Sequence, residues 1–128
     1  MNLRLIFSDC EVASVEASAT VTRIRLSAAH VHQADGNGER LEGFARGVVL
    51  VLHGSSLPEP AGHLIGRVAQ GRIRRQGAWS SSIALPATLP GPITLELSLA
   101  NRSELVLAAS RIECNFEAGA NFSESLFC

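Results

Sequence analysis

Two histidines separated by one residue, His30 and His32, are the side chains of this chain best suited to chemistry. On a β-strand, side chains at positions i and i+2 point to the same side, so the two imidazoles would lie together and could bind one metal ion. They continue the even-numbered apolar positions of Ile24 and Leu26. That parity predicts a pair of histidines extending a buried face to its rim.

Further metal ligands follow along the chain. His53 and His63 could add nitrogens, and Glu39 or Glu42 could add an oxygen. Three nitrogens and one carboxylate would suit iron, manganese, zinc or nickel. The alternative interpretation is a set of solvent-facing or rim histidines that bind nothing, so no cofactor is expected and a divalent metal is the alternative.

The stretch from residue 30 to residue 63 resembles the cupin family in part. Cupins combine a His-x-His and a following Glu with a later Gly-x5-Pro-x-Gly motif and a third His. Here His30 and His32 are followed by residues 54–62, which fit the second motif. The resemblance implies a metal held by His30, His32, His63 and Glu39. The sequence departs from the family pattern because Glu39 comes later than usual and His63 follows the second motif directly.

The basic residues of the chain are all arginine, and neither lysine nor tyrosine occurs. The missing lysine excludes Schiff-base catalysis, a pyridoxal-phosphate anchor and a Walker A phosphate site. Four of the 11 basic residues fall within residues 60–95, which contain no acidic residue, and these are Arg67, Arg72, Arg74 and Arg75. This segment predicts a contact with negative charge.

The negative charge could be external or internal. An external contact would be a small anion or a nucleic acid, with Trp79 as a stacking surface. An internal contact would pair the arginine strand with neighbouring strands that carry Glu96 and Glu104. The net charge of -1 and the isoelectric point of 6.4 favour internal pairs and make nucleic acid an unexpected partner.

Alternating apolar residues predict the elements that must position these groups. They occur at residues 3–7, 22–28 and 93–99, and turn residues separate such segments throughout the chain. We therefore predict one all-β domain over residues 1–128, an antiparallel barrel or sandwich of about eight to ten short strands. At most one short helix is expected, over residues 39–46, where Leu41 and Phe44 could share a face.

A hairpin with an irregular second strand is predicted near the end of the chain. Residues 93–99 alternate clearly, and residues 100–103 then turn the chain back. The inward positions are odd at Leu107 but even at Ile112. Because such a change of parity requires an extra residue in one strand, we expect a bulge near residues 108–111.

No motif in the sequence assembles a catalytic set. Cys10 and Cys114 are expected to be small buried side chains rather than nucleophiles. Neither a secretory signal nor an apolar run of membrane-spanning length is present, so a cytoplasmic location is expected and a membrane is not. We predict a binding or assembly module rather than a catalyst. Its expected partner is a second copy or another protein, contacted through open strand edges and the apolar residues 122–128.

Overall fold

The chain folds entirely as β-structure where the structure describes it. The computed structural model describes residues 2–34, 40–55 and 64–117. Within these ranges no helix occurs, and in particular none that could cross a membrane. The strands of the described ranges are β1 (Asn2–Ala17), β2 (Val21–Ala34), β3 (Arg40–Ala45), β4 (Val48–His53), β5 (Gly66–Arg75), β6 (Ala78–Ser80), β7 (Ser82–Leu85), β8 (Ala87–Leu99) and β9 (Glu104–Phe116).

Six of these strands close into an antiparallel barrel. The order around the barrel is β1, β2, β4, β9, β8 and β5, and β5 pairs again with β1. The other three strands extend the barrel: β3 pairs with the end of β2, β7 with the start of β1, and β6 with the end of β5. The predicted all-β class is confirmed, and of the two predicted forms the structure is the barrel.

The barrel interior is filled by aliphatic side chains from every strand of the ring. Among them Leu5, Ile24, Leu52, Leu95 and Ile112 have no accessible surface. Burying a side chain of this size contributes roughly 1.5–3 kcal/mol, so the summed burial is the main stabilising term. The interior is therefore a packed core.

The pairing of β1 with β2 contains a large irregularity. Ile6 is opposite His30, and the next pair lies five residues further along β1 but only two residues back along β2. The additional residues of β1 form a bulge, in which Asp9 has a φ of 69°. Asp tolerates this left-handed conformation better than most residues. A bulge bends the strand and increases its twist, which helps the long hairpin to follow the curved barrel wall.

A second irregularity of the same pairing changes which side chains of β2 face the interior. Glu11 is opposite Ala28 and Val12 is opposite Leu26, so β2 contains an additional residue, Ser27. Leu26 is buried on one side of the irregularity, and Ala29 and Val31 are buried on the other. Because neighbouring residues on a strand point to opposite faces, His30 and His32 lie on the outer face. The prediction that the histidines continue the interior face of the preceding residues is therefore wrong, because the sequence pattern does not reveal the additional residue in β2.

The short helix that the sequence allowed over residues 39–46 does not form in the described part of this segment. Residues Arg40–Ala45 form β3, which pairs with β2 from Ala29 opposite Ala45 to Ala34 opposite Arg40. Leu41 and Phe44, which would have shared the buried face of the helix, are about half exposed, at 43% and 46%. The backbone pairing offered by β2 outweighs the weak helical pattern, which the glycines at 43 and 47 already disfavour.

The predicted hairpin of β8 and β9 is confirmed, as is an irregularity at the predicted place. Ile93 is opposite Ala109 and Pro90 is opposite Arg111, so the additional residue lies in β8 rather than β9. Gly91 is needed at this position because a Cβ atom there would lie 2.6 Å from the backbone oxygen of Ser110. Such a contact is far shorter than van der Waals distance.

The change Gly91→Ala tests this close approach. Since the colliding atoms belong to the backbone of β9, we expect the free energy of unfolding in urea to fall by roughly 1–3 kcal/mol. Thr88→Ala, at an exposed position of the same strand, is the control and should change stability little. Equal stability of Gly91→Ala and the wild type would show that the strands separate easily at this point.

Several predictions concern residues outside the described ranges. Glu39 and His63, two of the predicted metal ligands, lie there, as do the apolar residues 122–128. The expected self-association through open edges and this apolar segment stays a prediction.

Candidate metal site

Strands β2 and β3 bring two histidines and one glutamate together on the outer face. In the register of these strands His32 is opposite Glu42 and His30 is opposite Phe44. One potential ligand atom from each of His30, His32 and Glu42 lies within 4.8 Å of the others. We call this group the His–His–Glu cluster.

His30 is the most firmly held member of the cluster. Its side chain is only 10% exposed, and its ring stacks on Phe44 with centroids 5.4 Å apart. Its Nδ1 atom lies 3.0 Å from the backbone oxygen of Ser8, which belongs to the β1 bulge. Because a carbonyl oxygen only accepts hydrogen bonds, Nδ1 carries a proton and donates it. The other nitrogen, Nε2, is in direct contact with Oε1 of Glu42.

His32 completes the cluster from the same face of β2. Its ring meets the ring of His30 edge to face, with centroids 5.0 Å apart. Its Nε2 atom lies 3.5 Å from Oε1 of Glu42. This nitrogen is inaccessible to solvent and has no hydrogen bond of good geometry. A buried polar atom without a partner costs about 1–3 kcal/mol of stability. A metal ion or a proton bound to Nε2 of His32 would remove this cost.

The cluster favours the charged form of its carboxyl group. The hydrogen bond with His30 lowers the pKa of Glu42 below the usual 4.5, and the positive charge that His30 can carry lowers it further. His32 acts in the same direction, while partial desolvation opposes it. Glu42 is therefore a carboxylate that faces two imidazole nitrogens.

Two imidazole nitrogens and a carboxylate oxygen are a suitable donor set for a divalent transition metal. Nitrogen and oxygen ligands bind zinc at roughly 2.0–2.2 Å, so two ligands of one tetrahedral ion lie roughly 3.3–3.6 Å apart. The 3.5 Å between His32 Nε2 and Glu42 Oε1 already matches this spacing. An ion held by three protein ligands retains a position for water or for an anionic group.

The remaining histidine of the described ranges belongs to a different contact. Nε2 of His53, on β4, lies 2.7 Å from Oε2 of Glu113, on β9. This hydrogen bond lowers the pKa of Glu113. The structure therefore does not bring His53 to the His–His–Glu cluster, although the sequence allowed it as a further nitrogen ligand.

Of the two glutamates that the sequence offered as oxygen ligands, Glu42 is the one found in the cluster. Glu39, the ligand implied by the cupin resemblance, lies outside the described residues, as does His63. Comparison of the chain with protein-family models, curated proteins and solved structures finds no match. The assignment of His30, His32 and Glu42 to one site rests on the distances among their atoms.

The predicted anion contact of the arginines is largely internal. Arg72 is opposite Glu96 and its Nε lies 2.8 Å from the carboxylate, which confirms the predicted cross-strand pair. Arg67 binds Asp9 of the β1 bulge at 3.1 Å. Arg74 lies near Trp79, with its guanidinium carbon 5.9 Å from the ring centroid. These three arginines are therefore not brought to one anion site.

The two described cysteines are unsuited to nucleophilic chemistry. Cys10 and Cys114 are free and buried. Burial raises the pKa of Cys10 to about 11 and that of Cys114 to about 12. Since the thiolate is the reactive form, both remain unreactive thiols at neutral pH, as the sequence predicted.

The pH dependence of stability tests the contacts of Glu42. Its pKa is lower in the folded than in the unfolded chain, so its contribution is present above pH 4.5 and is lost as the pH falls through the folded-state value. In metal-free buffer, the difference in unfolding free energy between the wild type and Glu42→Gln should therefore shrink as the pH falls below 4.5.

The measurement is urea denaturation between about pH 3 and pH 7, which brackets the titration of carboxyl groups. Glu104→Gln is the control, because Glu104 is exposed and forms no ion pair with a described residue. A difference between wild type and Glu42→Gln that is independent of pH would contradict the contact.

Proposed function

We propose that this protein is a binding module whose ligand is a divalent transition-metal ion held by His30, His32 and Glu42. The observation that carries the proposal is the convergence of two imidazole nitrogens and one carboxylate oxygen within 4.8 Å. The proposal unites the predicted binding role with the metal alternative that the sequence offered.

The hydrogen bonding of His30 supports a cation at this place. With Nδ1 donating to Ser8, a neutral His30 directs the lone pair of Nε2 at the carboxylate of Glu42. Two acceptors in contact repel each other unless a proton lies between them, and a metal ion could replace this proton once the two atoms move apart to the spacing of metal ligands. His32 Nε2 adds a third acceptor position next to the same oxygen. A metal ion satisfies all three atoms together, whereas one proton satisfies only one pair.

The surroundings of His30 have the form of a second ligand shell. Histidines that bind metals usually donate their other ring N–H to a carbonyl or carboxylate, which fixes the ring and its tautomer. The carbonyl of Ser8 supplies this contact, and the ring of Phe44 restricts rotation of the imidazole. His30 is therefore oriented before a metal arrives, so little conformational freedom is lost on binding.

The position of Glu42 would allow another molecule to reach a metal ion bound at this site. Its side chain is 58% exposed, and it lies on β3, the last strand of the described sheet order. A metal held here would be reached from the outer face of the barrel. Its remaining coordination position could accept water or a carboxylate from another molecule.

Titration of metal-stripped protein with Zn²⁺ and Co²⁺ tests the proposal. We expect calorimetry to give one ion bound per chain. We expect the visible absorption spectrum of bound Co²⁺ to be that of an ion with nitrogen and oxygen ligands. His30→Ala, His32→Ala and Glu42→Gln should each weaken the affinity by roughly tenfold or more. The affinity should also fall at acidic pH, because protons compete for the imidazoles.

His53→Ala is the matched control, since this histidine also contacts a glutamate but lies outside the cluster. It should leave the affinity unchanged. Failure of the wild type to bind either ion, or equal weakening by His53→Ala, would overturn the proposal and leave a protonated His30 paired with Glu42. His63→Ala and Glu39→Gln, measured in the same series, test the two ligands that the cupin resemblance implies.

A further inference from the structure

A cleft on the barrel wall combines positive charge with an apolar surface. It has a volume of about 310 Å³ and lies where the β6–β7 segment meets β1 and β5. Arg4 and Arg75 line it together with Trp79, Ser82 and the buried Ile83, and no acidic residue contributes to its lining. A volume of this order is at the lower end of the range for sites that bind small organic molecules.

Among the described basic residues that line this cleft, Arg75 has the fewest hydrogen bonds and ion pairs. Its Nε atom is inaccessible to solvent and has no hydrogen-bond partner in the described part of the chain. It forms no ion pair with any described residue, in contrast to Arg67 and Arg72 of the same strand, which bind Asp9 and Glu96. A buried, unpaired guanidinium N–H group is costly, and an anionic ligand would remove that cost.

Arg4 supplies a second guanidinium that is already oriented. Its Nε donates to the hydroxyl of Ser82 at 2.9 Å, and its NH2 group donates to the backbone oxygen of Ser82 at 3.2 Å. Both acceptors are neutral, so the positive charge of Arg4 remains uncompensated by any described carboxylate. Its side chain is thus fixed in direction while its charge stays available to a ligand.

Trp79 gives the cleft an aromatic component that is held in place from outside. The guanidinium carbon of Arg72 lies 3.8 Å from the centroid of the Trp79 ring, and Arg72 is itself anchored by Glu96. This cation–π contact stabilises one orientation of the ring. The planar ring offers apolar contacts to the body of a ligand.

From these observations we infer that the cleft binds a small organic anion, with an apolar or aromatic body and one carboxylate or phosphate group. Arg75 and Arg4 would bind the anionic group, since the planar guanidinium matches the oxygens of carboxylates and phosphates. Trp79 would contact the body of the ligand. The site is distinct from the His–His–Glu cluster and needs no metal.

Trp79 is the only tryptophan of the chain and no tyrosine is present, so its fluorescence reports directly on the cleft. The test is titration with phenyl phosphate, benzoate and inorganic phosphate in buffer containing EDTA, with calorimetry as a second measurement. We expect a saturable change with phenyl phosphate or benzoate and a weaker response to inorganic phosphate. Benzyl alcohol, a neutral aromatic compound, should cause no saturable change.

Arg75→Gln and Arg4→Gln should each weaken binding of the aromatic anion by roughly tenfold or more, as expected for loss of a charge-assisted contact. Arg74→Gln is the matched control, because it removes an equal charge near Trp79 from a residue that does not line the cleft. Arg75→Lys keeps the charge without the planar fork and should give intermediate affinity.

The inference fails if neither aromatic anion gives a saturable response, if benzyl alcohol binds equally well, or if Arg75→Gln binds as tightly as Arg74→Gln. Circular dichroism of each variant establishes that the barrel has formed. Because all titrations contain EDTA, their outcome is independent of the metal proposal.

Discussion

The pairing of β1 with β2 is the interaction on which the rest of this molecule depends. It joins the strands next to the two ends of the strand order and turns an open sheet into a barrel. An open sheet would expose two long edges and would leave its apolar face without cover. The same pairing contains the additional residue of β2 at Ser27, after which Ala29 and Val31 face the core and His30 and His32 lie on the outer face. The candidate metal site is thus a product of how the barrel closes.

Strand pattern was readable from the sequence, whereas register was not. The alternation of residues 93–99 predicts a strand because it depends only on neighbouring positions. The identity of Glu42 as partner of His32 depends on how β3 aligns with β2, which a period of two leaves undetermined. The outward position of the histidines depends on an additional residue of β2 at Ser27, which is accommodated by the pairing with β1 and which the alternation of residues 22–28 does not reveal. For the same reason residues 39–46 resembled a helix when considered alone.

For the arginines, too, the sequence shows where the residues are concentrated, whereas the strand register decides which residues they contact. Their concentration in residues 60–95 is visible in the sequence, and the Arg72–Glu96 pair was a reasonable expectation from neighbouring strands. The sequence does not distinguish Arg75 from the others, since only the folded arrangement leaves its Nε without a partner among the described residues. Both candidate sites lie on one stretch of wall: Arg4 of β1 is opposite His32 on one side and Ala84 of β7 on the other.

Alkylation of the Cys10 thiol can report on the pairing of β1 with β2 that closes the barrel. Its sulfur donates to the backbone oxygen of Ile6 at 3.0 Å and accepts from the backbone N–H of His30 at 3.3 Å, within the bulge where regular pairing is interrupted. An alkylating reagent can reach this sulfur only when β1 moves away from β2, because the residue is 2% exposed. The labelling rate of Cys10 therefore measures how often β1 and β2 separate next to the backbone of His30.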